Sequence, residues 1–421
     1  MNQKLTGKQY TLLASMLFGM FFGAGNLIFP IILGAKAGAS LVPALLGMLI
    51  TAVGMPLLGI VALGVSRSSG LMQMSGRVAK WYSYFFTCAL YLTIGPFFAI
   101  PRCAATSFTM GIAPLVSGSH TVPQAIFTTL FFAAVLFFAL RPNNIMNSIG
   151  KYLNPIFLIC LGILVVAALL DPIQSVGSVA ASGAYADNAF STGFLQGYDT
   201  LDALASLAFG IIVVNVIKEM GVEEPGAIAK NTIKSGVFSM VLMTVIYALI
   251  AIVGAQSYGL YADQLGDSSF NGGNAFAIVA QHYLGKAGMI VLALTVTFCC
   301  MKTAIGLVTA CADTFSVMFP RSLSYRNWAI VFTAFSLLVS NIGLSKIISF
   351  SAPVLYFLYP LAIMLILLNI FGKYFDYARP VFTWAIGFTM IAAVFDLLKV
   401  AGLAQGVVDW VSTWLPFYSL G

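Results

Sequence analysis

The stretch that decides the fold is residues 21–30, FFGAGNLIFP, which lies inside an apolar run from about Leu12 to Leu33. A run of this length can cross a bilayer, which takes about 20 apolar residues. Its middle nevertheless contains two glycines and an asparagine. In hydrocarbon an unpaired backbone group costs several kcal/mol, so a helix interruption is tolerated only where it lines a cavity in the protein. The stretch therefore predicts a broken transmembrane helix, which is the sequence sign of a transporter binding site near the bilayer midplane.

The composition predicts a polytopic integral membrane protein that forms one domain over residues 1–421. The chain is 60% hydrophobic and only 8% charged, whereas a soluble domain carries about 25% charged residues. The net charge of +7 does not indicate nucleic acid, because the basic residues lie in short loops between apolar runs. We therefore expect the protein to lie in a lipid bilayer and to bind no nucleic acid and no cofactor.

Eleven apolar runs predict transmembrane spans. They lie at residues 9–34, 41–66, 81–113, 121–140, 147–170, 193–217, 232–256, 285–318, 327–344, 350–371 and 380–399. Of the 20 basic residues, 14 fall in one alternating set of loops and 4 in the other, with Arg102 and Lys302 inside spans. Cytoplasmic loops carry the excess of Lys and Arg, so the N-terminus is predicted to be cytoplasmic and the long loops 171–192 and 257–284 to be outside.

Span 6 is irregular in the same way as span 1. It contains the stretch GYDTLDA at residues 197–203, with two carboxylates in its outer half. Such carboxylates are costly in a membrane unless they face a cavity or a partner. Spans 1 and 6 are five apart and so cross in opposite directions, which predicts an inverted five-helix repeat. The predicted repeats are residues 9–170 and 193–371, followed by an additional helix at 380–399 and an interfacial tail at 400–421 that contains Trp410 and Trp414.

Four separate stretches together resemble the bacterial branched-chain amino acid:cation symporter family (BrnQ-type), over essentially the whole chain. They are FGAGNLIFP at 22–30, GPFFAIPR at 95–102, GYDTLDALAS at 197–206 and TAIGL at 303–307. The resemblance implies an all-α, leucine-transporter-like fold that holds substrate between broken helices 1 and 6. It also implies uptake of leucine, isoleucine and valine across a bacterial cytoplasmic membrane, coupled to H⁺ or Na⁺. The family usually has twelve spans, so the twelfth is expected to be missing here.

The first break supplies one half of the predicted substrate site, at Gly23, Ala24, Gly25 and Asn26. Glycine lets backbone amides approach a ligand closely, and a helix N-terminus attracts an anion such as an α-carboxylate. The alternative is a close helix contact mediated by glycine, which is common in membranes. The resemblance implies that Phe21 and Asn26 could also give oxygens to a first sodium ion.

The second break supplies the other half, where unwound carbonyls could receive the substrate ammonium. The residues concerned are Tyr198, Asp199, Thr200 and Leu201. The Thr200 hydroxyl could add a further ligand. The carboxylates of Asp199 and Asp202 could pair with the ammonium, with a cation or with an arginine, or could face water at the outer rim.

Arg102 lies inside span 3, directly after Pro101, and a buried charge needs a partner. Two interpretations are open: an outer gate that closes on an aspartate such as Asp202, or a structural ion pair. Both are preferred over direct substrate binding, because the amides of span 1 already serve the carboxylate.

Lys302 departs from the sodium-binding pattern. The resemblance implies that span 8 gives neighbouring hydroxyls to a second sodium ion, but the pair here is Lys302 and Thr303. An ammonium at that position is expected between Gly19, Phe22 and Thr303. A permanent cation would give exchange or sodium-independent transport, whereas a lysine that titrates would give proton coupling. The alternative is a lysine that snorkels to water.

The remaining expectations concern the class of protein. An apolar pocket discriminates between substrates that differ by one methylene by only about 1–3 kcal/mol. Leucine, isoleucine and valine should therefore be accepted together. No phosphate-binding loop indicates ATP use, and no cluster of residues indicates an enzyme. A channel or receptor on the same fold is the alternative from another class. A channel needs a continuous polar stripe, however, and this sequence shows only local polar breaks.

Overall fold

The computed structural model describes residues 5–141, 145–222 and 224–413, and the regular structure in this part of the chain is helical. The α-helices are α1 (Gly7–Phe21), α2 (Gly25–Ala37), α3 (Leu41–Leu49), α4 (Met55–Val65), α5 (Leu71–Gly76), α6 (Lys80–Leu92), α7 (Ala99–Ser107), α8 (Thr121–Ala139), α9 (Ile145–Leu170), α10 (Ala184–Gln196), α11 (Asp202–Glu219), α12 (Pro225–Gln256), α13 (Gly272–Met318), α14 (Tyr325–Ser340), α15 (Leu344–Phe371), α16 (Arg379–Val400) and α17 (Gln405–Ser412).

Helices overlie every predicted span. Within the described residues, seven helical stretches are long and apolar enough to cross a membrane, and an eighth is added if α10 and α11 count as one span bent by 45°. Several predicted spans are built from two helices. Span 1 comprises α1 and α2, and span 2 comprises α3 and α4 joined by a π turn at Ile50–Gly54.

Both predicted breaks are present. Helix α1 ends at Phe21, Phe22 is extended (φ −75°, ψ 107°), and α2 starts at Gly25. In span 6 a 3₁₀ turn at Gly197–Thr200 leads to Leu201, whose φ of 67° is left-handed. A leucine is strained in that conformation, and such strain is maintained only where the surrounding structure imposes it.

Span 3 contains a kink that positions α7. Gly95 has non-helical angles (φ −95°, ψ −124°) and Pro96 follows it within the π turn Thr93–Phe97. Proline removes a backbone donor and bends a helix at the preceding turn. The chain then enters α7 at Ala99, which brings Arg102 into the centre of the protein.

Small residues set how the broken spans pack on their neighbours. A Cβ at Gly34 of α2 would lie 1.8 Å from the carbonyl oxygen of Ala251 in α12, and one at Gly254 would lie 2.2 Å from that of Ile31. The two backbones therefore touch, which only glycine permits and which is typical of helix pairs in membranes.

Helix α11 is packed against α4 in a related manner. A Cβ at Gly59 would lie 2.0 Å from Ser206 Oγ, and one at Gly210 would lie 2.5 Å from Leu63 Cδ1. The second half of span 1 thus packs on span 7, and the second half of span 6 packs on span 2. Two inverted five-helix repeats predict such a reciprocal arrangement.

Parts of both long loops are helical. Helix α10 starts at Ala184, inside the predicted loop 171–192, and α13 starts at Gly272, inside the predicted loop 257–284. The prediction that these segments are loops was wrong, because it rested on hydropathy. The start of α13 is decided by capping instead: the Asn271 side chain accepts a hydrogen bond from the amide of Gly273. A kink at Gly285 (φ 61°) separates this outer helix from the predicted span.

The last helix of the described residues is α17, which follows α16. In α17, Val408 and Val411 are buried and Trp410 is 65% exposed. That the tail lies at the membrane interface stays a prediction, and Trp414 lies outside the described residues.

Candidate functional site

The two breaks face one cavity. Its walls come from the α1–α2 break, α7, the α10–α11 break and α13. The space between these walls is about 430 Å³ when its open end is counted. The residues of the first break, Gly23 to Asn26, all line it, as do Phe21, Thr200, Leu201 and Asp202.

The first break presents the N-terminus of α2 to the cavity. The first amides of a helix have no intrahelical carbonyl. Here Asn26 N donates to Gly23 O and Leu27 N to Ala24 O. No acceptor for the amides of Ala24 and Gly25 is found among residues 5–141, 145–222 and 224–413. These amides are therefore available to an anion in the cavity.

Asn26 is a structural link as well as a cavity residue. Its side chain is 1% exposed, and its Oδ1 accepts from the amide of Gly23 at 2.7 Å. Its Nδ2 donates to Asp202 Oδ2 at 2.9 Å and to the hydroxyl of Tyr247. The Tyr247 hydroxyl in turn donates to Asp202 Oδ2 at 3.0 Å. This buried triad joins the two breaks to α12.

Only some residues of the second break line the cavity. Thr200 and Leu201 line the cavity, and the Thr200 hydroxyl donates to the carbonyl of Gly197 at 2.9 Å. Tyr198 and Asp199 are not part of the lining. The Tyr198 ring instead stacks on Tyr359 of α15, with 4.2 Å between ring centroids.

Arg102 binds main-chain carbonyls. Its side chain is 4% exposed, and its Nη1 and Nη2 donate to the carbonyl oxygens of Asp199 and Thr200 at 2.6 and 3.3 Å. The sequence predicted a carboxylate as the partner of Arg102 and the substrate ammonium as the partner of these carbonyls. In the structure, Arg102 and the carbonyls bind each other instead. The physical reason is that left-handed Leu201 ends the 3₁₀ turn, so the last carbonyls need donors that the helix cannot supply.

Thr303 of helix α13 lies against the first break. A Cβ at Gly23 would lie 3.5 Å from Thr303 Oγ1, and Thr303 lines the cavity. Cys299, one turn earlier, places its Sγ 3.8 Å from the carbonyl oxygen of Phe22. Lys302 is half-buried, and it does not line the cavity; neither do Gly19 and Phe22.

Sequence reasoning missed Tyr247. It lies in a continuous apolar helix with nothing irregular around it, so its spacing gave no signal. Its buried hydroxyl is informative only once Asn26 and Asp202 are seen beside it, because a buried tyrosine hydroxyl usually finds a hydrogen-bonding partner.

An all-helical membrane protein with two broken helices around one small-molecule cavity is, as a class, a membrane transporter. The solved structure of Mhp1, a nucleobase-cation-symport-1 family transporter in a closed conformation with bromovinylhydantoin bound, matches with a TM-score of 0.60. It is 15% identical, and the match covers 97% of this chain and 93% of that chain. At this identity the likeness shows the fold alone.

The sequence comparisons define the family. The profile described as "Branched-chain amino acid transport protein" matches residues 6–421. The chain is 48% identical to the branched-chain amino acid permease BrnQ of Lactobacillus delbrueckii subsp. lactis and 41% identical to that of Bacillus subtilis, with 100% of this chain and 94% of each relative covered. It is 37% identical to the branched-chain amino acid transport system 2 carrier protein of Pseudomonas aeruginosa, over 98% of this chain and 90% of that one. The chain belongs to the branched-chain amino acid transport protein family, which confirms the predicted resemblance.

Proposed function

We propose that this protein takes up leucine, isoleucine and valine by cation-coupled symport, through alternating access to the cavity between its two breaks. The observation that carries the proposal is the mixed character of that cavity. One part has free amides and charged side chains, and another has apolar walls that include Ile94, Phe209 and Leu307. An amino acid with a branched aliphatic side chain has the same division into a polar head and an apolar tail.

The polar groups of the substrate are assigned to the two breaks. Its α-carboxylate meets the amides of Ala24 and Gly25 at the N-terminus of α2, where the helix dipole favours an anion. Its ammonium meets the acceptors at the start of α11, where Thr200, Leu201 and Asp202 line the cavity. The names of the relatives support this class of substrate.

The coupling ion is assigned from α13. We propose that Lys302 substitutes for a second sodium ion, which favours proton coupling over sodium coupling. Its support is the contact between the next residue, Thr303, and Gly23 of the first break. The alternatives are sodium coupling through Phe21 and Asn26, and sodium-independent exchange.

Uptake of labelled leucine into proteoliposomes tests the function, with sodium and pH gradients imposed separately. Accumulation above the outside concentration separates a coupled transporter from a channel or receptor. Absence of accumulation under every gradient would refute the transport proposal. Valine and isoleucine should compete with leucine.

The role of Lys302 is tested in the same vesicles with Lys302→Thr, using Lys286→Thr as the matched control. Lys286 is an exposed lysine at the start of the same predicted span, whereas Lys302 lies in its middle. We expect wild-type uptake to follow the pH gradient, Lys302→Thr to lose that dependence, and Lys286→Thr to retain it. A wild type that needs sodium and ignores pH would refute the assignment.

A further inference from the structure

We propose that Arg102 and Asp202 recognise the two charged ends of the substrate directly, with the guanidinium on the α-carboxylate and the aspartate on the ammonium. This inference rests on the proposed function and specifies its site. It makes the cavity selective for a zwitterion over molecules that carry only one of the two charges.

The first step is the incomplete pairing of Arg102. A guanidinium has five N–H donors and a full positive charge. The two hydrogen bonds of Arg102 go to main-chain carbonyls, which are neutral. These bonds hold the side chain in place but do not compensate its charge. The carboxylates of Asp199 and Asp202 attract the guanidinium without forming an ion pair with it, and a charge buried to this degree is costly without a close counterion.

The second step is the position of Arg102 against α2. A Cβ at Gly25 would lie 3.0 Å from Arg102 Nη2, so the guanidinium is packed on the first turn of that helix. The N-terminus of a helix carries about half a positive charge. Two positive ends thus meet beside the free amides of Ala24 and Gly25. An anion between them would relieve this repulsion and accept hydrogen bonds from both.

The third step is the matching negative group. Asp202 is the first residue of α11, is 4% exposed and lines the same cavity as Arg102. Its Oδ2 accepts from Asn26 and Tyr247, and neither of these bonds uses Oδ1. An ionised carboxylate only accepts hydrogen bonds, so its complement is a donor such as an ammonium.

One ligand therefore neutralises both groups. An amino acid zwitterion places an anion and a cation two bonds apart on one carbon, and it pairs each with a charge of opposite sign. A compound without the carboxylate leaves Arg102 unmatched, and one without the ammonium leaves Asp202 unmatched. Because a site built around charged partners rejects a ligand that leaves them unpaired, both compounds should bind poorly.

The competing account is that Arg102 only holds the second break together through the carbonyls of Asp199 and Thr200. Both accounts predict that a substitution at Arg102 impairs transport. They differ for ligands, because a structural residue affects every ligand equally, whereas a residue that binds the carboxylate affects only ligands that have one.

The test is a ligand-by-variant cycle on the purified full-length protein. Binding of labelled leucine is measured, with leucinamide (no carboxylate) and 4-methylpentanoate (no ammonium) as competitors. In Arg102→Gln we expect leucine affinity to fall about tenfold or more, and leucinamide affinity to stay within about twofold. In Asp202→Asn leucine affinity should fall similarly, while that of 4-methylpentanoate should not.

Arg77→Gln is the matched control. Arg77 also donates to a main-chain carbonyl, that of Ser66, and to the Asn369 side chain. It does not line the cavity, so any change there should be equal for leucine and leucinamide. Equal losses for both ligands in Arg102→Gln would overturn the inference. So would failure of both Arg102→Gln and Arg102→Lys to give folded protein, because Arg102 would then be structural. If wild type binds no leucine, the proposed function itself fails.

Discussion

Asn26 and Asp202, 176 residues apart in the chain, join the two broken spans through a hydrogen bond of 2.9 Å between Asn26 Nδ2 and Asp202 Oδ2. Tyr247 binds both of them, so three helices meet at one buried polar point. In a membrane interior such a network holds irregular backbone in place, because no water is available to substitute for a lost partner.

Breaking this triad should destabilise the protein in a non-additive way. Asn26→Ala removes one donor to Asp202 and Tyr247→Phe removes the other, and each should cost about 1–3 kcal/mol of stability. The double variant should deviate from the sum by about 0.5–3 kcal/mol, since the residues share partners. Thermal unfolding of the purified protein in detergent measures this. Purely additive losses would contradict a coupled network.

The close contact of α2 with α12 predicts strong sensitivity at Gly34. In Gly34→Ala the new Cβ would lie 1.8 Å from the carbonyl oxygen of Ala251, so the helices must separate. Overpacking of this kind costs about 1–3 kcal/mol, and the melting temperature should fall. Gly162→Ala in α9 is the control, because nothing lies within 4 Å of its Cβ position. It should be neutral or slightly stabilising, since alanine favours a helix over glycine. Equal melting temperatures for the two variants would argue against the contact.

The apolar wall predicts which substitutions alter the choice of substrate. Leu307 lines the cavity, so Leu307→Phe should shrink the space for the side chain and disfavour leucine relative to valine. The selectivity should change by about tenfold, which is the effect of one or two methylenes. Competition of both amino acids for uptake measures it. Leu294→Phe, at a position 56% exposed on the same helix, should leave selectivity unchanged. A shift in the control but not in Leu307→Phe would place the side-chain pocket elsewhere.

The charge distribution predicts the orientation in the membrane. A cysteine at Lys8 should be cytoplasmic, and one at Ser175, in the loop after α9, should be outside. Both positions are exposed, whereas the six native cysteines are buried or half-buried. In intact cells an impermeant maleimide should label Ser175→Cys at once and Lys8→Cys only after lysis, with the parent protein as background. The reverse pattern would invert the proposed orientation.

Much of the fold could be predicted from the sequence. Local chemistry fixes both breaks: two glycines and an asparagine between apolar runs end α1, and the carboxylate-containing stretch at 197–203 separates α10 from α11. The all-α class and the family are confirmed. The outer helical segments at Ala184 and Gly272 were missed, because hydropathy detects membrane spans and not short helices outside them.

The candidate site was predicted less completely. The residues at the two breaks and Thr303 do surround one cavity. The partners of Arg102 were not predicted. The sequence shows two aspartates in span 6, but it does not show that Leu201 is left-handed and leaves the carbonyls of the preceding turn without helical donors. Lys302 and Thr303 are adjacent in sequence, yet neighbouring residues on a helix point about 100° apart, so only one of them lines the cavity.

The sequence by itself determined the membrane class, the two broken spans and the family, because each depends on local composition or on similarity along the chain. The tertiary structure decided which polar groups meet. Arg102, Asp202 and Tyr247 come from three different helices. Their positions beside the second break follow from the kinks at Gly95 and Leu201 together with the close glycine contacts between helices. A hydrogen bond forms only within a few tenths of an ångström in distance and within a limited range of angles. No spacing in the sequence encodes positions with that precision.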